Sequence, residues 1–325
     1  MVILCLALLV WLNTLLHPFG ANAADLDLTG PLGRLVIKPL SVFPGISTLL
    51  SMLAILFCGY LLVQLNVKYV FLKSRSQLPL LFYIVITGCM AGLRFLSPVL
   101  LSVLFVIIML YRSFASFKKD RLTFHFLDTG IILGIAVLIY IPALIFFPLL
   151  FIVLLLFRNK VWQEWIYPWI GFCLPFLFWS SFLFMTNQSL QNMGEEFRRV
   201  FSAPGRAETY TLIQLVFYGY LAFLVLIGSL HMIRTIGNRK IQSRVFFVVF
   251  LWLFLLSILI VWVIPATGTG FLFTGGISIA YLLSNYFATC RNTRFNNLLL
   301  ALLLAGVILV IADDWISFIP GHYSF

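Results

Sequence analysis

The stretch from Gly130 to Phe157, GIILGIAVLIYIPALIFFPLLFIVLLLF, decides the fold, because its interpretation sets the direction of every helix that follows it. It contains no charged residue, and it is longer than the roughly 20 residues that one helix needs to cross a bilayer. Pro142 lies near its middle, where a proline ends or kinks a helix. The stretch is therefore either one kinked transmembrane helix or two short helices joined by a turn.

The composition indicates that lipid, rather than water, surrounds most of this chain. Of the 325 residues, 62% are apolar and 10% are charged, whereas soluble proteins average about 45–50% and about 25%. These proportions argue against a water-soluble enzyme, a disordered chain and a nucleic-acid-binding module. The net charge of +11 would suggest nucleic acid only in a soluble protein.

Apolar runs without internal charge predict about eleven transmembrane helices, if the stretch Gly130–Phe157 is counted as two. The predicted fold class is all-α, a polytopic transmembrane helix bundle that forms a single integral-membrane domain over residues 1–325. None of the runs has the alternating pattern of a transmembrane β-strand. The runs cover residues 2–16, 44–65, 78–93, 95–111, 127–141, 143–157, 165–186, 209–233, 245–264, 270–289 and 295–312.

The distribution of basic residues favours two helices in the stretch Gly130–Phe157. With two helices, fifteen Lys and Arg residues fall in one set of loops and six in the other, and most acidic residues accompany the six. With one helix, the basic loops would be divided almost evenly. The positive-inside rule then predicts an inner amino terminus and an outer carboxyl terminus.

The first 24 residues permit a second interpretation. A short apolar core followed by Ala21-Asn22-Ala23 resembles a signal peptide with its cleavage site. The basic region that normally precedes such a core is missing, and Pro18 and Gly20 also suit the end of an ordinary helix. Cleavage of residues 1–23 therefore stays open beside the interpretation as a first span.

The sequence gives no positive support for a transporter. It has no evident internal repeat, and apart from Arg94 no charged residue lies deeper than the end of a span. Arg94 lies in the tightest outer turn. It is either a snorkelling side chain or a cation aimed into an outer cavity.

The first outer loop, at about 17–43, contains the candidate catalytic residues. Asp25 and Asp27 are spaced so that both carboxylates point to one side of an extended backbone. They could act as a general base with its partner, or as ligands of a divalent cation. The alternative is a solvated acidic loop that follows a span.

The same loop predicts a short interfacial helix at about 31–40. Leu32, Leu35 and Val36 share one helical face, while Arg34 and Lys38 share another. This pattern is typical of a helix that lies in the membrane interface. It would present two cations at the outer surface.

The second outer loop, at about 187–208, contains Glu195-Glu196 and Arg198-Arg199. Paired arginines at a membrane surface suit a lipid-linked phosphate, because the guanidinium group binds phosphate oxygens bidentately. The alternative is local ion pairing on one helix, between Glu195 and either arginine or between Glu196 and Arg199.

An inner amino terminus, one span and an outer loop with Asp25, Asp27 and an interfacial helix resemble the GT-C class of membrane glycosyltransferases. In that class the first outer loop carries the catalytic acidic residue. The stretch Leu127–Phe157 is similar to the paired short helices of the class in the placement of Gly130, Gly134, Pro142 and Pro148, followed by Arg158. The resemblance implies a GT-C-like arrangement of the helices.

Over most of its length the chain also resembles an uncharacterised multi-pass inner-membrane family of Bacteroidota. Leu96-Ser97-Pro98-Val99-Leu100 and Phe126-Leu127-Asp128-Thr129-Gly130 carry that resemblance. It implies a location in the cell inner membrane.

Taken together, the patterns and the resemblance predict a glycosyltransferase that takes sugar from a polyprenyl phosphate at the outer face of the inner membrane. Asp25 or Asp27 would be the base or would hold a divalent cation. The phosphate would be bound by cations chosen from Arg34, Lys38, Arg94, Arg198 and Arg199. The competing hypothesis is a non-catalytic membrane subunit or scaffold of an envelope assembly, whose outer loops bind other membrane proteins.

Overall fold

The computed structural model describes residues 10–12, 14, 28–40, 42–69, 72, 76–88, 96–117, 123–157, 162–186, 191–205, 211–235, 237, 240–290 and 293–317. These residues are almost entirely helical, and they form no β-strand. The predicted all-α fold class is confirmed.

The helices in the described part of the chain are numbered here in order. They are α1 (Pro31–Leu40), α2 (Pro44–Tyr69), α3 (Leu78–Gly88), α4 (Pro98–Ala115), α5 (Thr123–Ile139), α6 (Phe147–Leu156), α7 (Tyr167–Met185), α8 (Gln191–Ser202), α9 (Leu212–Thr235), α10 (Ile241–Val263), α11 (Phe271–Thr289) and α12 (Thr293–Ser317). Short 3₁₀ helices cover Ile141–Phe146, Trp162–Trp165 and Pro265–Gly270.

Seven of these helices are long and apolar enough to cross a membrane, namely α2, α4, α7, α9, α10, α11 and α12. The helices α3, α5 and α6 are shorter but also apolar. Each predicted span after the first coincides with one of these ten helices, whereas most of residues 2–16 lie outside the described residues. The chain is therefore a multi-pass membrane protein, and the number and direction of its crossings remain predictions.

The stretch Gly130–Phe157 is a helical hairpin. Helix α5 ends at Ile139, and Pro142 lies in the 3₁₀ helix that precedes α6. The ring of Phe147 lies 4.7 Å from that of Phe172, while Phe151, one turn later, contacts Trp165, which precedes α7. Helix α6 thus runs antiparallel to α7.

Helix α5 runs in the same direction as α7. A Cβ added at Gly130 would meet Pro168 and Phe172, and one added at Gly134 would meet Phe172 and Pro175. Because α5 and α6 run in opposite directions, the chain reverses between them, as the two-helix prediction requires. Each limb, with the 3₁₀ helix counted in the second, is about 26 Å long, close to the hydrocarbon thickness.

Two of the described basic residues that were predicted for the cytoplasmic side, Lys68 and Arg112, lie at one end of the bundle. There Lys68, at the end of α2, donates a hydrogen bond to the hydroxyl of Tyr111 near the end of α4. Arg112 lies 4.0 Å from Asp128, near the start of α5. The ring of Phe157, after α6, contacts that of Phe246 near the start of α10. Helix α1 lies at the opposite end, which is called the α1 end below.

Candidate functional site

Helix α1 is fixed to the C-terminal end of α5. The backbone N–H of Gly30 donates to the carbonyl of Ile139 over 2.9 Å, and Thr29 forms an isolated antiparallel bridge with Tyr140. Gly33 packs directly against the carbonyl oxygen of Ile139, so that a Cβ there would overlap it. The two glycines therefore let α1 lie directly on the turn between α5 and α6.

The predicted boundaries of the interfacial helix match α1, and two of the three residues of its predicted apolar face are exposed. Gly33 and Ile37 face the protein and are buried, whereas Leu35 is 62% exposed and Val36 is also exposed. Exposed leucine and valine on a helix at the end of a membrane bundle are the side chains that an interfacial helix directs toward lipid.

Helix α8 covers another part of the α1 end. Val200 is buried, and the ring of Phe197 lies 6.3 Å from that of Phe176 in α7. After the helix, a Cβ at Gly205 would lie 3.1 Å from Pro265, at the start of the last 3₁₀ helix. Helix α8 and the residues after it thus extend across the bundle from α7 to the loop between α10 and α11, with the charged face outward.

An ion pair joins α1 to α8. Nη1 of Arg34 donates to Oε1 of Glu196 over 2.5 Å, and the side chains are 38% and 17% exposed. The two residues are 162 positions apart in the sequence. A partly exposed pair of this kind contributes about 1 kcal/mol to stability. Its larger significance is positional, because it brings together the two segments that were predicted as separate outer loops.

Of the remaining charged residues of α8, two form an ion pair with each other and one is exposed without such a partner among the described residues. Glu195 accepts a hydrogen bond of 3.4 Å from Arg199, which confirms one of the local pairs that the spacing predicted. Glu196 pairs with Arg34 instead of Arg199. Glu195 does not pair with Arg198, so the other two local pairs are not formed among the described residues. Arg198 is exposed and has no ion-pair partner among the described residues.

We call Arg34, Lys38, Glu195, Glu196, Arg198 and Arg199 the charged surface. Four of these residues are basic and two are acidic, so the surface carries an excess of positive charge. Lys38 is exposed in the last turn of α1, four residues from Arg34 on the same helix. Such a surface suits an anionic group, since guanidinium groups supply several donors in a fixed geometry.

A groove opens beside α1 between α5 and α7. We call it the lateral groove, and its volume is about 530 Å³. All its lining residues have apolar or aromatic side chains, and two of them, Leu32 and Leu35, belong to α1. The lining residues are Leu32, Leu35, Ile131, Ile135, Leu138, Leu174, Pro175, Phe178, Trp179 and Phe182.

Three of the predicted site residues lie outside the described residues. Asp25 and Asp27, the candidate base and cation ligands, precede the described segment that begins at Leu28, and Arg94 precedes the segment that begins at Leu96. The four other predicted residues, Arg34, Lys38, Arg198 and Arg199, are all on the charged surface.

Sequence reasoning missed Glu196 as a partner of Arg34, and it missed the lateral groove altogether. The groove residues of α5 and α7 looked like any other apolar residues of two spans. The signal that could have located the groove was the small residues Gly130, Gly134 and Gly171, which predict where α5 and α7 approach closely.

Comparison with known proteins adds no relative. Neither a family model, nor a curated protein, nor a solved structure matches this chain.

Proposed function

We propose that the protein is a membrane glycosyltransferase that takes a sugar from a polyprenyl phosphate at the α1 end, which faces the outer side of the inner membrane. The contact between Arg34 and Glu196 is the observation that carries this proposal. It unites two segments, each of which independently contained residues suited to a lipid-linked phosphate. An apolar groove directly beside them provides the second property that such a substrate requires.

The reaction requires one base and a set of cations. The acceptor hydroxyl attacks the anomeric carbon of the sugar, and its proton passes to the carboxylate of Asp25 or Asp27. The bond from that carbon to the phosphate oxygen breaks, and polyprenyl phosphate leaves with the bonding electrons. Arg34, Lys38 and Arg198 stabilise the negative charge that develops on the leaving phosphate.

One observation supports the competing function, a non-catalytic subunit of an envelope assembly. Both glutamates of α8 pair with arginines, Glu195 with Arg199 and Glu196 with Arg34. Charges that neutralise each other in this way also occur on surfaces that only hold a structure together. The carboxylates of Asp25 and Asp27 therefore distinguish the two functions, because only the enzyme needs them.

Replacement of both Asp25 and Asp27 by asparagine tests the proposed activity. We expect release of polyprenyl phosphate from a panel of polyprenyl-phosphate sugars to fall about a hundredfold in membranes, since a general base contributes at least that much. The double variant should also fail to complement a deletion strain. Asp128→Asn is the matched control, because Asp128 lies at the opposite end beside Arg112. Full complementation by the double variant at normal membrane abundance would overturn the catalytic proposal and favour the subunit.

A further inference from the structure

We infer that the lateral groove holds the hydrocarbon chain of the lipid donor while the donor's phosphate lies at the charged surface. This inference rests on the proposed function for the identity of the donor as a polyprenyl phosphate. It adds a location and a set of contacts for the part of the substrate that never reacts.

The shape and position of the groove suit a hydrocarbon chain. Its volume of about 530 Å³ is within the range of about 300–1,000 Å³ that is typical of ligand sites. Helices α5 and α7 form its walls, and Leu32 and Leu35 of α1 contribute at the α1 end. Phe178 is 75% exposed and Phe182 is 50% exposed. The groove is therefore open to the side, where the surrounding lipid can deliver a chain.

The charge of α1 complements an anionic lipid. Arg34 is on another face of α1 from Leu32 and Leu35, which line the groove, but it lies between them along the helix axis, where each residue rises only about 1.5 Å. The side chain of Arg34 is 38% exposed although one of its guanidinium nitrogens donates to Glu196. A single amphiphile can thus place its chain in the groove and its phosphate beside Arg34.

The packing of α1 against α5 holds this part of the lateral groove in a fixed shape. Gly30 and Gly33 fix the helix to the C-terminal end of α5, whose residues Ile131, Ile135 and Leu138 form one groove wall. The α1 residues that line the groove and the groove wall formed by α5 are therefore parts of one packed unit. Because the site already has its shape, little conformational entropy of the protein is lost when the lipid binds.

Leu174→Trp tests the inference by filling the groove, and Leu177→Trp is its matched control. Both leucines are in α7, but only Leu174 lines the groove, whereas Leu177 is 60% exposed elsewhere on the helix. The probes are a photoreactive polyprenyl phosphate and a photoreactive phosphatidylglycerol, each offered to the purified protein in nanodiscs. Covalent labelling is quantified, and the labelled peptides are mapped by mass spectrometry.

We expect polyprenyl phosphate to label the wild type within 131–138 or 174–182, and to label it at least about tenfold more than phosphatidylglycerol does. Leu174→Trp should reduce this labelling about tenfold, and Leu177→Trp should leave it unchanged. Equal labelling by the two lipids would show a general phospholipid site and would overturn the inference. Wild-type labelling sites elsewhere in the chain would overturn it independently of whether Leu174→Trp folds.

The outcomes separate this inference from the proposed function. If polyprenyl phosphate labels the groove but the protein transfers no sugar, the lipid site stands and the enzyme does not. If Leu174→Trp transfers sugar at the wild-type rate, the groove site is wrong while the enzyme stands. If Leu174→Trp lowers both labelling and transfer, both are supported.

Discussion

Substitution of Gly130 or Gly171 by leucine is expected to abolish the folded protein, because the backbones of α5 and α7 are in contact there. A Cβ at Gly130 would lie 2.6 Å from the carbonyl oxygen of Pro168, and one at Gly171 would overlap the carbonyl oxygen of Leu127. Neither neighbour is a flexible side chain, so the helices have to separate. Overpacking by even a few atoms costs about 1–3 kcal/mol, and leucine adds far more volume at the closest point of the pair.

Gly219→Leu in α9 provides the control, since a Cβ at Gly219 would have no heavy atom within 4 Å. The fraction of extracted protein that elutes as a single peak from size exclusion, together with its Tm, measures the effect. We expect this control to match the wild type, while the Gly130 and Gly171 variants lose the peak. A wild-type profile and Tm for Gly130→Leu would show that α5 and α7 do not pack as described.

Arg34→Glu is expected to reduce the proposed sugar transfer by about two to three orders of magnitude, the range seen when one transition-state donor is removed. The substitution removes a cation from the charged surface and places a second carboxylate beside Glu196, which is only 17% exposed. Repulsion between the two carboxylates should also loosen α1 from α8. Hydrogen exchange in residues 28–40 is expected to accelerate about tenfold, which corresponds to about 1.4 kcal/mol.

The double variant Arg34→Glu, Glu196→Arg separates these two effects, because it restores the ion pair in the reverse orientation. Slow hydrogen exchange should return, and transfer should recover in part, since the cation is now on α8 rather than beside the groove. Glu195→Arg in the Arg34→Glu background is the control, because Glu195 pairs with Arg199 and not with Arg34. Equal exchange rates in the single and double variants would contradict the observed pair.

The hairpin at Gly130–Phe157 was predictable from the sequence because two independent signals agreed. Pro142 indicated a break, and only the two-helix interpretation separated the basic residues to one side. The boundaries of α1 were also predictable, since Pro31 suits the first position of a helix and the charged residues recur at helical spacing. The second prediction used only local spacing, whereas the first also used the distribution of basic residues along the whole chain.

The faces of α1 could not be assigned in the same way. In water, apolar side chains mark the face that packs against the protein, but in a membrane they also mark the face toward lipid. Leu35 and Val36 are exposed, as the predicted interfacial helix requires, but the pattern did not identify Gly33 and Ile37 as the residues that face the protein. Small residues, rather than apolar ones, identify helix contacts in such a bundle.

The pairing of Arg34 with Glu196 could not be predicted from the sequence, for a different reason. Glu196 had a plausible local partner in Arg199, three residues away, and local spacing cannot reveal a competitor 162 residues away. Only the packing of α1 on α5, and of α8 on α7, brings the two side chains together. Long-range placement of this kind depends on the whole bundle.

The central claim is that α1 and α8 lie on the same aqueous side of the membrane, opposite the start of α10. Single cysteines introduced as Lys38→Cys, Glu195→Cys and Lys240→Cys, in a chain whose five native cysteines are serine, test it directly. An impermeant maleimide added to spheroplasts should modify the first two, and should modify the third only after permeabilisation. Modification of the Lys38→Cys and Glu195→Cys variants from different sides of the membrane would contradict the claim.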